Sequence, residues 1–277
     1  MIFCIKIFNL DPSRHIRRNL NKVHSRVLFS ATLSPINYYV DVLGGMATDP
    51  VLMLPNPFPP ENRLLMIAPT VSTKYKHRQD TFGEIADYIE RFISHKIGNY
   101  LVFFPSYQYL NDVSSILMAN PELNIITQTK DMKDDEKDAF LDRFALNPTR
   151  TTIGLAVLGG AFSEGIDLVE DRLIGAVIIG VGLPQLSFER DLIRHHYDKN
   201  EHNGFEFSYV NPGMNRVMQA VGRVIRSETD RGTVLLIDDR YLQARYRNLF
   251  KQEWTNYQVV TSAEDIDELV AKFWSEK

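Results

Sequence analysis

The sequence has a single cysteine, Cys4, among its 277 residues. One thiol excludes a disulfide framework and a cysteine-based zinc or iron–sulfur site within this chain, and it is typical of proteins in a reducing compartment. We therefore expect a cytoplasmic location. Long apolar runs are also missing. The apolar opening segment MIFCIKIF has only eight residues and is far too short to span a bilayer. We expect this segment to form a strand and the protein to have no membrane partner.

A strong net charge is absent as well, since the formal charge is −4 at pH 7. This balance disfavours a generally basic nucleic-acid coat but is compatible with a local positive groove. One basic cluster lies in PSRHIRRNLNK and consists of Arg14, Arg17, Arg18 and Lys22. The cluster fits either DNA contact or a solvated helix face.

Short apolar runs alternate with amphipathic segments from Leu64 onward. The predicted buried strands are LLMIA, YLVFF, LNIIT, TIGLAVL, GAVIIG and TVLLID. The predicted helices cover residues 78–95, 107–118, 131–144 and 211–226. This alternation predicts an α/β fold with a mostly parallel sheet and helices on both faces. In such sheets, ligands bind in loops at the carboxyl ends of the strands.

Prolines set the N-terminal segment apart from this pattern. The stretch LPNPFPPENR, residues 54–63, forbids a regular helix or a central strand, so we expect a domain boundary between Pro35 and Pro60. Before the boundary, Asp11 is the expected N-cap of a helix with Pro12 at its first position. RVLFSATL is then an expected strand of a different sheet.

Two arginines three residues apart distinguish the segment QAVGRVIRS. On the predicted helix 211–226, the apolar stripe consists of Val217, Ala220, Val221, Val224 and Ile225. The opposite face carries Gln219, Gly222, Arg223 and Arg226. Such a face is either a solvated charged surface or a phosphate clamp, because a guanidinium group forks onto phosphate oxygens. The helix alone leaves both interpretations open.

Two further loops follow predicted strands. GGAFSEGID, residues 159–167, packs three glycines and two carboxylates into nine residues, but its spacing matches neither GxGxxG nor GxxxxGK[ST]. Glu164 and Asp167 fit ribose hydroxyls, an arginine partner or a simple capping role. In FFPSYQYL, Ser106 is the expected N-cap of a helix whose N-terminus attracts anions. Tyr107 offers a ring for base stacking or for the core.

The order of these motifs resembles a known family. The chain presents LFSATLSP, LVFFPSY, GGAFSEGID, GVGLP and QAVGRVIRSETDRGTVLLIDDRY in that order. The set resembles the C-terminal half of superfamily 2 DNA helicases of the Rad3/XPD and DinG type. In that family SATLSP looks like motif III, FFPSY like motif IV, GGAFSEGID like motif V and QAVGRVIR like motif VI. The resemblance implies that residues 1–34 end a first motor domain and that residues 35–277 form a second, RecA-like one.

The resemblance also implies the residues of a nucleotide site. Arg226 is the implied arginine finger that reaches the γ-phosphate of ATP, with Arg223 and Gln219 as phosphate and coupling contacts. Glu164, Gly165 and Asp167 are the other residues implied on the nucleotide side. ATP and Mg²⁺ are the implied cofactors, held mainly by the first motor domain.

A second set of implied roles concerns DNA. Ser106, Tyr107 and Ser163 are implied to contact single-stranded DNA. Ser30 and Thr32 are implied to couple the nucleotide state to DNA binding. The implied partners are single-stranded DNA and the first RecA-like motor domain of the same protein, and the implied activity is ATP-driven translocation and duplex unwinding in DNA repair or replication.

Two motifs that such an enzyme needs are missing. The chain contains no GxxxxGK[ST] phosphate loop, indeed no Gly-Lys dipeptide, and no D-E-x-H sequence. We therefore expect a fragment that lacks the ATP-binding half and is inactive alone. A non-motor nucleic-acid-binding or regulatory module with the same fold is the alternative. An unrelated doubly wound nucleotide enzyme is disfavoured because the dinucleotide fingerprint is missing.

Overall fold

The computed structural model describes residues 5–163, 168 and 170–276. The strands are β1 Arg63–Ala68, β2 Asn99–Phe104, β3 Asn124–Thr127, β4 Thr152–Val157, β5 Gly175–Ile179, β6 Gly232–Ile237 and β7 Gln258–Val259. The helices are α1 Ser13–Leu20, α2 Ile36–Val42, α3 Arg78–Ser94, α4 Tyr107–Leu117, α5 Asp134–Asp142, α6 Phe188–Lys199, α7 Asn211–Val221, α8 Ala244–Arg247 and α9 Glu264–Ser275. All six predicted strands are confirmed to within about two residues of their ends, which is the usual scatter of boundary assignment.

The chain divides into two units. The sheet unit comprises Pro55–Gly182 and Arg216–Lys277, and the helical unit comprises Met1–Leu54 and Leu183–Asn215. The first division falls inside the proline-rich stretch 54–63, within the interval expected for a boundary. This division differs from one at residues 34 and 35, so the assignment of residues 1–34 to a first motor domain stays a prediction.

The sheet unit is built on one seven-stranded sheet in the order β3-β4-β2-β5-β6-β1-β7. Every pair is parallel, with β6 between β5 and β1 in registers such as Val177↔Leu235 and Met66↔Leu235. Parallel strands are covered on both faces, which explains why the central strands read as continuous apolar runs.

Helices pack on both faces of this sheet, as predicted. On one face, side chains of Tyr100, Val102 and Phe104 join a core with residues of α3, α4 and α9. On the other face, Gly154 of β4 lies beneath Phe140 of α5 and Phe144. Strand residues alternate between faces, so one strand serves both layers.

The helical unit has its own aromatic contacts. The Phe207 ring stacks on Tyr197 at 4.2 Å between ring centroids and meets Tyr38 edge-on at 5.0 Å. Burial raises the pKa of Tyr197 to about 12. The Arg17 guanidinium donates to the carbonyl oxygens of Gly44 and Gly45 at 2.8 and 2.7 Å. One member of the basic cluster is therefore used to hold a turn.

Two expectations for the N-terminal segment are wrong. Residues 26–33, RVLFSATL, form no strand, and the same holds for residues 5–8 of MIFCIKIF, whose first four residues lie outside the described part. A strand requires hydrogen bonds from a neighbouring strand. All strands in the described residues belong to the sheet unit, so these apolar segments have no such neighbour. Helix α1 begins at Ser13, one residue later than expected, and Asp11 Oδ1 accepts from its N–H at 2.9 Å.

No helix in the described residues combines the length and the apolar content that crossing a bilayer requires.

Glycine packing in the sheet unit yields a matched pair of substitutions. A Cβ on Gly154 would lie 2.5 Å from Phe144 Cζ and 2.8 Å from Leu101 Cδ2, whereas a Cβ on Gly83 of α3 would meet nothing within 4 Å. We expect Gly154→Ala to lower the free energy of unfolding by about 1–3 kcal/mol through overpacking. We expect Gly83→Ala to raise it by about 0.4–1 kcal/mol because alanine favours the helix.

Tryptophan fluorescence in urea measures both changes, since Trp254 and Trp274 lie in the sheet unit. Equal stability of the two variants would contradict the close packing around Gly154.

Candidate functional site

The carboxyl ends of the parallel strands share one edge of the sheet, and the candidate loops after β2 and β4 lie there. Ser106 caps α4 as predicted, because its Oγ accepts from the N–H of Tyr109 at 3.3 Å. The Gln128 side chain follows β3, donates to the Tyr107 hydroxyl at 3.1 Å and accepts from the N–H of Val157 at 2.8 Å. Gln128 thus ties together the ends of three adjacent strands. Sequence reasoning missed it, since one glutamine after a strand carries no pattern.

Tyr107 is held but not buried in the core. Partial burial raises the pKa of Tyr107, the nearby charge of Asp131 raises it further, and the hydrogen bond with Gln128 opposes both. At ordinary pH the phenol is therefore neutral, and one side of it is fixed by Gln128. A ring fixed in this way can present a face to a base without losing much conformational entropy.

The glycine-rich loop after β4 begins with a close contact. Gly159 has φ +78°, and a Cβ at this position would lie 2.8 Å from Cδ and Nε of Arg216. Ser163 is fully buried, and its hydroxyl donates to the Gly160 carbonyl at 2.8 Å. Burial and this bond shield the hydroxyl from solvent. The role of Ser163 as a DNA contact stays a prediction. Glu164, Gly165 and Asp167 lie outside the described residues.

The arginine pair lies just beyond a helix rather than on it. Helix α7 ends at Val221, so the predicted helix through Arg226 is wrong. The N–H groups of Arg223 and Val224 donate to carbonyls three residues back at 3.2 Å, which tightens the last turn. Gly222 weakens the helix at this point, since glycine costs about 1 kcal/mol relative to alanine. The predicted apolar stripe is nevertheless buried throughout, including Val224 and Ile225 after the helix.

The turn after α7 is built around one carboxylate. Asp230 Oδ2 accepts from the N–H groups of Arg226 and Ser227 at 2.7 and 2.9 Å. The Ser227 hydroxyl donates to Asp230 Oδ1 at 2.7 Å. These bonds take over from helical ones and fix the backbone at Arg226, whose side chain is half-buried. We refer to residues 222–230 as the arginine turn.

The arginine turn leads into the amino end of β6. Asn62, just before β1, donates from Nδ2 to the Glu228 carbonyl at 2.9 Å and so ties the turn to the same edge. Arg223 and Arg226 therefore lie at the edge opposite Ser106 and Tyr107. The expectation that ligand contacts gather at the carboxyl ends of the strands does not extend to this pair.

Gln219 lies in the last turn of α7. Its Oε1 is shielded from solvent and accepts no hydrogen bond from any residue that the structure describes. Burying an amide oxygen without a hydrogen bond destabilises the folded state unless a donor reaches it.

Ser30 and Thr32 lie close together in the helical unit. The Thr32 N–H donates to Ser30 Oγ at 3.3 Å, and the two hydroxyl oxygens are 3.5 Å apart. Thr32 is buried. The pair is compact although its segment forms no strand, and its coupling role stays a prediction.

A buried ion pair braces the turn after β6. Asp238 is fully buried and accepts from Nε and Nη2 of Arg240 at 2.7 and 2.8 Å. The Thr73 hydroxyl, from the loop after β1, also bonds Asp238. Asp230 and Arg240 thus brace the turns on either side of β6. Within the described residues, no cluster of three or more His, Cys, Asp and Glu side chains is arranged to hold a metal ion.

Comparisons with known proteins agree with this architecture. The sequence profile described as Helicase C-terminal domain matches residues 89–257. The chain is 27% identical over 270 residues to the ATP-dependent DNA helicase chl1 of Schizosaccharomyces pombe, covering 86% of this chain and 31% of that protein. It is 27% identical over 271 residues to the XPD helicase subunit of general transcription and DNA repair factor IIH from Dictyostelium discoideum, covering 88% and 33%.

Solved structures show the same fold. A structure named XPD helicase superposes with a TM-score of 0.70 at 23% identity, covering 91% of this chain and 45% of that one. This likeness confirms the RecA-like α/β fold.

The chain spans about a third of the length of the curated relatives it matches. The profile covers more than half of the chain, and the ordered motifs lie in the same region. The chain therefore belongs to the Helicase C-terminal domain family of the Rad3/XPD-type superfamily 2 helicases.

Proposed function

We propose that the chain supplies the second RecA-like motor domain of an ATP-dependent DNA helicase. In the complete protein, ATP hydrolysis would drive movement along single-stranded DNA and unwinding of a duplex. Support comes from the family and from relatives named as ATP-dependent DNA helicases. A role in DNA repair is consistent with the name of the XPD relative.

The Asp230-centred arginine turn carries this proposal. Phosphoryl transfer spreads negative charge over the γ-phosphate oxygens in the transition state, and a fixed guanidinium stabilises that charge. The backbone of Arg226 is held at both its own N–H and that of Ser227. A guanidinium on an anchored backbone loses less conformational entropy when it meets a phosphate. Arg226 is the proposed finger.

Gln219 lies in the last turn of α7, and Arg223 lies just after the helix in the arginine turn. Arg223 adds a second permanent positive charge three residues before Arg226. The shielded Oε1 of Gln219 fits a donor that arrives with the nucleotide or with the partner domain. We assign Arg223 to phosphate contact and Gln219 to coupling.

ATP and Mg²⁺ would be held mainly by the first motor domain. This chain has cationic side chains that fit phosphate oxygens, but it has no phosphate-binding loop of the GxxxxGK[ST] type. When bound, the nucleotide would supply the γ-phosphoryl group and Mg²⁺ would neutralise part of its charge. The residues of this chain position positive charge against it.

The carboxyl edge is the proposed DNA side. Ser106 caps α4 there, and the Tyr107 ring is fixed by Gln128. The helix N-terminus suits a phosphate and the ring suits a base.

The isolated chain should hydrolyse ATP at a negligible rate, because its sequence has no GxxxxGK[ST] phosphate-binding loop. A coupled-enzyme assay with and without oligo(dT) measures the rate. Robust hydrolysis by the purified 277-residue chain would reject the division of labour proposed above and favour a different nucleotide enzyme.

In the complete protein, Arg226→Ala should lower ATP turnover by about 10³- to 10⁵-fold while nucleotide affinity stays close to that of the unmodified protein. Arg226→Lys should restore little, since an ammonium group cannot fork onto two oxygens. Arg247→Ala, at an exposed position of α8, is the matched control and should leave turnover unchanged. Unchanged turnover in Arg226→Ala would remove the finger assignment.

Asp230 should act as a positioning residue. Asp230→Ala removes the acceptor of two N–H groups and one hydroxyl, so we expect the free energy of unfolding to fall by about 1–3 kcal/mol. Hydrogen exchange at the amides of Arg226 and Ser227 should accelerate, and turnover of the complete protein should fall with nucleotide affinity preserved. Asp134→Ala, which removes an exposed carboxylate that pairs with Lys137, should change none of these. Protected amides in Asp230→Ala would show that the carboxylate does not hold the turn.

A further inference from the structure

The loop after β1 presents an exposed tyrosine on a rigid base. Tyr75 is 82% exposed, although tyrosine usually buries most of its ring. It lies in a short 3-10 turn, Tyr75–His77, directly before α3. The ring is therefore not part of the core of the sheet unit.

Four side-chain bonds hold the loop in place. The Thr73 hydroxyl bonds the buried Asp238, and Lys74 Nζ lies 2.6 Å from Asp239 Oδ2. Arg78 Nε donates to the Thr73 carbonyl at 3.1 Å, and the Thr81 hydroxyl donates to the Ser72 carbonyl at 3.3 Å. A loop that is fixed on both sides of an exposed ring is preorganised for contact.

The Tyr75 loop is connected to the Ser106 cap through one arginine. The Arg78 guanidinium lies 5.6 Å from the Tyr75 ring centroid and 4.8 Å from that of Tyr109. The N–H of Tyr109 donates in turn to Ser106 Oγ. Both loops follow carboxyl ends of strands, and β1 is three strand positions from β2, or about 14 Å. Tyr75 and Tyr107 therefore belong to one edge.

The charge around Tyr75 favours a polyanion. Residues 74–78 read KYKHR, with no acidic side chain. Asp239 neutralises Lys74, whereas Lys76 is exposed and forms no ion pair with any residue in the described ranges. An exposed ring beside a lysine without an ion pair is the combination that binds single-stranded nucleic acid, where bases stack and phosphates contact lysine or arginine.

We propose that Tyr75 is a base-stacking platform for single-stranded DNA, with Lys76 contacting an adjacent phosphate. The proposal rests on the proposed function and extends its DNA side from the Ser106 and Tyr107 loop across the edge of the sheet to β1. It assigns the loop after β1, residues 69–77, as a separate contact segment.

Binding of a fluorescein-labelled oligo(dT) to the purified chain at low salt tests the proposal by anisotropy. Tyr75→Ala should weaken binding about 5- to 10-fold, as expected for the loss of one exposed stacking contact. Tyr75→Trp should keep or raise the affinity, because the ring survives. Lys76→Gln should reduce the salt dependence of log K by about 0.7, the slope of one phosphate contact on a single strand. Leu146→Ala, half-exposed near the amino end of β4, is the matched control and should bind like the unmodified chain.

Photocrosslinking with a 5-bromodeoxyuridine oligonucleotide gives a readout that does not depend on a variant. Mass spectrometry should place a crosslink on the peptide that contains Tyr75. Crosslinks confined to other peptides, or Tyr75→Ala binding as well as Leu146→Ala, would overturn the stacking assignment while the proposed function stands. No binding and no crosslink at any site would overturn the DNA side of the proposed function together with this inference.

Discussion

Parallel strand pairing is the constraint on which the rest of the sheet unit depends. Two parallel neighbours cannot be closed by a tight turn, so each connection must return from the carboxyl edge to the amino edge. Each connection therefore places residues at both edges of the sheet. Ser106 and Tyr75 follow carboxyl ends, whereas Arg226 precedes the amino end of β6. Six residues of β6 separate the two edges, which corresponds to about 20 Å.

Aspartates stabilise the turns at both ends of β6. Asp230 accepts backbone N–H groups where helical bonds end, and Asp238 is buried against Arg240 and Thr73. A short carboxylate can satisfy several donors at once, which lets irregular backbone approach the core. The positions of the candidate contacts at each edge are consequently set by the sheet and its turns, and much less by the freedom of individual side chains.

Much of the sheet could be predicted from the sequence because its central strands are buried on both faces and their apolar runs end at turn residues. The two-residue strand β7 is exposed and left no such signal. RVLFSATL has the composition of a strand, but composition does not reveal whether a neighbouring strand is present.

The candidate site was less predictable for related reasons. Periodicity alone extends the helix to Arg226, since the apolar stripe continues through Val224 and Ile225, while the competing acceptor, Asp230, is a tertiary feature of the turn. The role of Gln128 depends on the ends of three strands that are adjacent only in the folded sheet, so it could not be predicted from the sequence. The linkage of Tyr75 to Ser106 through Arg78 required the order of the strands, which no local pattern contains.

The separation of the two edges bears on how such a domain would transmit force. Between the arginine turn and the carboxyl edge lie β1, β5 and β6, whose central residues are fully buried and paired in register on both sides. Close-packed parallel strands have few alternative arrangements, so a change at one edge is not absorbed inside the sheet. On the proposed function, a nucleotide that engages Arg226 would therefore displace Tyr107 and Tyr75 together with the sheet as one rigid body. The proposed DNA contacts would then need no conformational switch of their own, which agrees with the number of bonds that hold each of them in place.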